Sequence, residues 1–189
     1  MGDHHNGAVK VLSDMRIQGG SQRGKAIGRN VAKRTRPTTA RVKKAIFDTL
    51  YQKFDLDDAK VLDLFAGTGA LGFEAASRGA TSVVFVDTDE AACSFIRDAT
   101  SRLGALGDCK MRVIARDALA YLRFPYQDSD ICFCDPPYEF EAWQDLLELR
   151  PATFVVAESN REIAGAAGYR QTTLKVYGDT YVSFLQLDA

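Results

Sequence analysis

The stretch Val61-Leu62-Asp63-Leu64-Phe65-Ala66-Gly67-Thr68-Gly69-Ala70-Leu71-Gly72-Phe73-Glu74-Ala75 decides how the rest of the chain is read. An apolar run carrying one acid enters a glycine turn and leaves as an alanine- and leucine-rich helix. Gly67 and Gly69 let backbone approach a ligand closely, as strand-to-helix glycine turns do around dinucleotide pyrophosphates. The glycines alone select no cofactor. Asp63 narrows the choice, because an acid there would repel a pyrophosphate but suits a cationic amino acid moiety such as the ammonium and sulfonium of S-adenosylmethionine.

Downstream, apolar runs alternate with helical patterns: Ser82 to Val86, a helix from Asp89, Arg112 to Ala115, a helix from Ala118, Ile131 to Cys134, a helix from Phe140. This alternation predicts a parallel sheet built from right-handed crossovers. Thr153 to Ala157 reads as one more strand. Leu174 to Tyr177 and Tyr181 to Leu187 flank Gly178-Asp179-Thr180 and read as an antiparallel hairpin. Asp87, closing the second strand, is suited to accept hydrogen bonds from ribose hydroxyls, while Asp89 takes the helix-capping task. Asp117 follows the third strand, where it could accept from an adenine amino group or cap the next helix.

Asp135-Pro136-Pro137-Tyr138 follows the buried run Ile131 to Cys134. Two prolines fix the backbone and remove two amide donors, leaving a carboxylate and carbonyl oxygens. An exocyclic amino group on a nucleobase is a poor nucleophile, because its lone pair is delocalised into the ring. If Asp135 and the Pro136 carbonyl each accept one of its hydrogens, the nitrogen can pyramidalise toward a methyl donor. Tyr138 would stack on the base, worth roughly 1–3 kcal/mol. Strands one and four, side by side, would bring this tetrapeptide and the glycine turn to one edge, where ligands bind in such sheets.

The chain has 189 residues, 24 Lys plus Arg, 25 Asp plus Glu and 46% hydrophobic residues, which excludes disordered, collagenous and coiled-coil classes. No run approaches the roughly 20 apolar residues of a membrane span, and no signal-peptide core follows Met1, so a cytoplasmic protein is expected. Cys93, Cys109, Cys132 and Cys134 lack paired metal-ligand spacing and read as reduced, buried small hydrophobes; no metal is expected. The net charge of −1 conceals an asymmetry: residues 1–53 hold 12 basic and 3 acidic residues, residues 54–189 hold 12 and 22. Such a basic segment suits a polyanion, since phosphate neutralisation releases counterions.

Within it, residues 1–14 read as a flexible tail. Met15 to Gln18, Gly19-Gly20-Ser21 and the stretch through Ile27 read as a hairpin whose arms display Arg16, Arg23 and Lys25. Thr38 or Thr39 would cap a helix carrying Val42, Ala45, Ile46, Phe47 and Leu50, with Arg41, Lys43 and Lys44 near its start. The expected organisation is a tail (1–14), a basic RNA-binding extension (15–53) and a catalytic domain (54–189).

Three blocks now carry a resemblance: Arg16-Ile17-Gln18-Gly19-Gly20 with Arg23-Gly24; Arg36-Pro37-Thr38-Thr39 with Arg41-Val42; and the glycine turn with Asp135 to Tyr138, extending to Glu158-Ser159. The chain resembles class I S-adenosylmethionine-dependent methyltransferases that modify amino groups, and more closely the bacterial small-subunit (16S) ribosomal RNA guanine-N2 methyltransferases of type D. The resemblance implies an α/β Rossmann-like, mostly parallel seven-stranded sheet with a C-terminal antiparallel hairpin, preceded by the hairpin-and-helix extension. It further implies a monomer that methylates N2 of one loop guanine in protein-bound RNA or the assembled 30S particle. The expected cofactor contacts are Asp63, Phe65, Ala66, Gly67, Gly69, Asp87, Thr88, Asp117 and Ala118. Asp135, Pro136, Pro137 and Tyr138 are the expected catalytic set, and Arg16, Arg23, Lys25, Arg36, Thr38, Thr39 and Arg41 the RNA contacts.

Two other readings compete. A DNA adenine-N6 methyltransferase would share the turn and Asp135, although 189 residues leave little room for a DNA-reading domain. A non-catalytic ribosome-assembly protein on the same scaffold would be expected to lose the acids and glycines, which are all present. A glutamine-N5 protein methyltransferase more typically has Asn where Asp135 stands.

Overall fold

The computed structural model describes residues 14–29, 40–104, 106, 108–124 and 128–188. Residues 1–13 of the expected tail and the expected RNA contacts Arg36, Thr38 and Thr39 lie outside the described residues, and Asp14, read as the last residue of that tail, already belongs to a strand. A small antiparallel pair, β1 (Asp14–Arg16) and β2 (Ala26–Arg29), precedes helix α1 (Ala40–Leu50). Then follow β3 (Lys60–Leu64), α2 (Ala70–Ser77), β4 (Ser82–Asp87), α3 (Glu90–Leu103), β5 (Lys110–Ala115), α4 (Ala118–Leu122), β6 (Ile131–Cys134), α5 (Trp143–Glu148), β7 (Phe154–Ser159), β8 (Tyr169–Tyr177) and β9 (Thr180–Leu187).

The seven-stranded sheet runs β5-β4-β3-β6-β7-β9-β8; β3 to β7 are mutually parallel, and β9 pairs antiparallel with both β7 and β8. The chain moves outward from β3 through β4 to β5 and returns to β6 on the other side of β3. That reversal is a topological switch point, where a crevice opens beyond the strand ends. The Val61↔Ile131 register aligns β3 with β6, so the glycine turn and Asp135 leave the sheet together, as the sequence predicts.

Central strands are apolar because both faces are covered. Val61, Phe133, Phe154, Val156 and Phe184 face α1, α2 and α3 in one core cluster, whereas Leu62, Leu64, Cys132, Cys134, Val155 and Ala157 face α4 and α5 in the other. Burying each large apolar side chain contributes roughly 1.5–3 kcal/mol. Gly72 lets α2 lie close on β4: a Cβ there would stand 2.3 Å from the Phe85 ring. Cys93, Cys132 and Cys134 are buried and Cys109 half-buried, all as free thiols.

Several boundaries differ from the expectations. Residues 135–142 are loop, tied by the Phe140 amide to the Pro137 carbonyl at 2.8 Å, and α5 starts only at Trp143 rather than Phe140. β8 begins at Tyr169 instead of Leu174, because an edge strand that is half-exposed along much of its length shows weak alternation. Glu158 and Ser159 lie inside β7, not after it.

The hairpin also differs: Arg23 and Lys25 occupy the connection between its strands, not the arms. Its glycines serve docking as well as turning. A Cβ on Gly19 would meet the Arg78 guanidinium at 2.2 Å, and one on Gly20 (φ +72) the Ser77 carbonyl at 1.8 Å. The connection is held there by the Ser21 amide on the Ser77 carbonyl (2.7 Å) and the Gln22 amide on Ser77 Oγ (3.0 Å), whose hydroxyl donates to the Gly19 carbonyl (2.7 Å).

Lys43, near the start of α1, is buried. Its Nζ donates to the Arg16 carbonyl (3.1 Å) and pairs with Glu74 at 3.2 Å. Glu74, wholly enclosed at 0% exposure, also accepts from the Gln18 amide (2.8 Å) and from Arg78 (2.9 and 3.0 Å), whose guanidinium lies over the Phe47 ring. Burial lowers the Lys43 pKa and the Glu74 charge opposes that fall. Among the described residues no helix is long and apolar enough to cross a membrane, and no group of three His, Cys, Asp or Glu could hold a metal ion.

Candidate active site at the carboxyl edge

β3 delivers Asp63 beneath the glycine turn, 3% exposed, where its carboxylate accepts from the Gly72 amide at 2.9 Å. Burial pushes this carboxyl well above the usual range, the Gly72 bond works against the rise, and the charges of Asp135 and Asp87 add to it. Those two acids thus bear on Asp63 from neighbouring strand ends. A buried acid in this state favours a cationic ligand, which would stabilise the ionised form.

The turn itself needs its glycines. Gly67 (φ +53) and Gly69 (φ +71) are left-handed; a Cβ on Gly67 would meet only the Phe65 carbonyl, at 3.9 Å, so the space over it is open. Asp87 accepts from the Gly67 amide (2.7 Å) and the Asp89 amide (2.8 Å), fixing the turn to the end of β4. Ala66 donates to the Val86 carbonyl (3.1 Å) and accepts from the Gly69 amide (2.7 Å). Asp89 caps α3 through the Ala91 amide, as expected, and exposed Thr88 lies between the two acids. Asp117 does cap its helix, accepting from the Ala120 amide at 2.8 Å, with Ala118 buried behind it. Open space over a left-handed glycine, ringed by acids, fits the cationic part of S-adenosylmethionine.

Phe65 joins this turn to the tetrapeptide. It holds φ +58, unusual for a bulky residue and a mark of local strain. Its ring meets Phe140 edge-on at 5.1 Å, and Phe140 meets Trp143 at 5.4 Å. Pro136 is buried and Pro137 exposed, while Asp135 and Tyr138 are half-buried. The Tyr138 hydroxyl pairs with Thr180 Oγ1 at 3.3 Å, so its side chain spans from the end of β6 to the start of β9.

Sequence reading missed Phe140, Thr180 and the Glu74–Ser77 docking face. Phe140 and Thr180 sat in segments read as a helix start and a hairpin turn; Glu74 stood inside the quoted stretch, and a lone acid on an otherwise apolar helix face was its available signal. Arg23, Lys25 and Arg41 are exposed, as is Arg16, whose guanidinium donates to the Gly24 carbonyl and pairs with Asp14. A cavity lined by Asp55, Asp57, Asp58 and Asp130 opens at the amino ends of the strands, on the far side of the sheet from this site.

Comparison with known proteins adds to this geometry. A family described as conserved hypothetical protein 95 matches residues 15–186. The ribosomal RNA small subunit methyltransferase D of Escherichia coli (strain K12) is 32% identical over 146 residues, covering 77% of this chain and 69% of that protein. The solved structure of a hypothetical protein from Thermus thermophilus superposes with a TM-score of 0.74 at 28% identity, covering 90% of this chain and 98% of that one. Magnesium protoporphyrin IX methyltransferase from Synechocystis PCC 6803, solved with bound SAM, shares the fold at 14% identity with a TM-score of 0.61, covering 77% of this chain and 76% of that one.

Proposed function

The chain belongs to the family described as conserved hypothetical protein 95, and from that premise we propose that this methyltransferase transfers a methyl group from S-adenosylmethionine to the exocyclic N2 amino group of a guanine in small-subunit ribosomal RNA. The observation that carries the reading is the meeting of Asp135-Pro136-Pro137-Tyr138 with the acid-ringed glycine turn at one switch point. The name of the Escherichia coli relative supports ribosomal RNA as the substrate class.

What S-adenosylmethionine supplies when bound is an electrophilic methyl group. Asp63, Gly67, Gly69 and Asp87 would hold it, with Phe65, Ala66, Thr88, Asp117 and Ala118 around it. Asp135 and the Pro136 carbonyl orient the amino nitrogen by accepting its hydrogens, which frees its lone pair toward the methyl group. Pro137 stiffens the loop, and Tyr138, tied to Thr180, offers its ring to the base. Arg16, Arg23, Lys25 and Arg41, with Arg36, Thr38 and Thr39, hold phosphates around a base drawn out of its stack, because a paired amino group is out of reach. The enzyme acts as a cytoplasmic monomer on protein-bound RNA or the assembled subunit.

The test is methyl transfer from radiolabelled S-adenosylmethionine to small subunits lacking native modification, with naked ribosomal RNA and duplex DNA alongside. Label in N2-methylguanosine is expected. Label in N6-methyladenine would overturn the substrate, and bound cofactor with no transfer to any substrate would overturn the activity.

A further inference from the structure

Glu158 stands one strand from Asp135. β6 and β7 pair in parallel with Cys134 opposite Ala157, so the next residue on each chain is Asp135 and Glu158. Side-chain alternation puts Glu158 on the face of Phe154 and Val156, the same face as Phe133, whose alternation Asp135 continues. Across β7, Glu158 pairs with Val182 of β9, which also faces that cluster, and strand alternation puts Thr180, two residues earlier, on the same face of β9. Tyr138 reaches Thr180 from the β6 loop, so its side chain crosses the end of the strand that carries Glu158. Glu158 is only 7% exposed, although a carboxylate at a strand end has no local need to be buried. A base stacked on Tyr138 with its amino group at Asp135 would turn the neighbouring ring nitrogen toward this side chain.

That nitrogen separates the bases. In adenine and cytosine every ring neighbour of the amino-bearing carbon is a carbon or a nitrogen with a lone pair, whereas in guanine N1 beside the N2 amino group carries a hydrogen. A carboxylate welcomes N1–H and repels a lone pair. We propose that Glu158 is the specificity-determining residue of the site, accepting guanine N1–H and rejecting amino bases that present a lone pair there. This inference rests on the guanine-N2 reading above and deepens it.

The experiment uses small subunits reconstituted from ribosomal RNA carrying either guanosine or 2-aminopurine at the methylated position. The analogue keeps the 2-amino group but presents a lone pair at N1. Wild-type protein should prefer guanosine by at least about tenfold in kcat/KM, the range expected for one hydrogen bond to a charged group. Glu158→Gln, whose amide can donate to N1, should lose about tenfold on guanosine yet hold or gain on 2-aminopurine, with unchanged cofactor affinity by calorimetry. Glu158→Ala provides the same test if the amide variant fails to bind cofactor, and should shrink the preference toward unity. A wild-type preference near unity, or variants that slow both substrates equally, would overturn the role of Glu158 while leaving N2-methylguanosine formation intact. Absence of N2-methylguanosine with wild-type protein would instead overturn the guanine reading, and this inference with it.

Discussion

In the β3–β4–β5 half of the sheet, the acids at the site are engaged by amides of the turns and helix starts at the strand ends: Asp63 by Gly72, Asp87 by Gly67 and Asp89, Asp117 by Ala120. In the β6–β7 half, Asp135 is followed by two prolines, which have no amide hydrogen to give, and Glu158 sits in a strand whose amides serve the sheet. One half spends carboxylates on building a turn. The other sets a carboxylate directly before two prolines. Changes in the first half should therefore disturb stability and cofactor affinity together, while changes in the second should disturb turnover alone.

The largest expected effect on stability lies at Glu74, in the helix that the glycine turn starts. Glu74→Ala strands Lys43 as an uncompensated buried charge and should remove about 3–5 kcal/mol in denaturant unfolding. Little change would mean that the hairpin and α1 do not depend on this pair. Asp87→Ala deprives the Gly67 and Asp89 amides of their acceptor and should cost about 1–3 kcal/mol, with cofactor affinity falling at least about tenfold by calorimetry. A fall in turnover at unchanged cofactor affinity would erase the contrast between the halves.

A smaller effect follows from Asp63. Its folded-state pKa is raised by burial, so its contribution to stability is fully present below the ordinary carboxylate pKa and is lost as pH rises through the raised value. A single group can add at most about 1.4 kcal/mol per pH unit. Asp63→Asn should flatten that loss in unfolding measured across pH. A cationic cofactor favours the ionised acid, so wild-type affinity should rise with pH as a proton is released; identical binding heats in buffers of different ionisation enthalpy would contradict this. Smallest is charge reversal at Arg16 and Arg23, which should lower the salt slope of RNA binding by about 1 per phosphate contact and leave cofactor affinity unchanged. A change in cofactor affinity would tie the hairpin connection to the turn.

The sheet was legible in the sequence because its central strands are buried on both faces, so Ile131 to Cys134 reads as an unbroken apolar run and Val61 to Leu64 as one broken only by Asp63. The glycine turn and the tetrapeptide were legible because glycine and proline constrain backbone wherever they stand. Edge strand β8 was half-read, since its side chains face water along much of their length. The burial of Lys43 was not legible, because its partner, Glu74, lies on another helix, and no local pattern reports a pairing made across the fold. The docking role of Gly19 and Gly20 was illegible for the same reason: what they avoid is Arg78 and Ser77.

Asp135 is the group proposed to orient the amino nucleophile, and the most direct measurement compares Asp135→Ala with wild-type protein in single-turnover methyl transfer and in cofactor calorimetry. Turnover should fall by about 10²–10³, the usual loss of a positioned transition-state group, while cofactor affinity and unfolding midpoint stay close to wild type. Near-normal transfer by the variant would contradict the account.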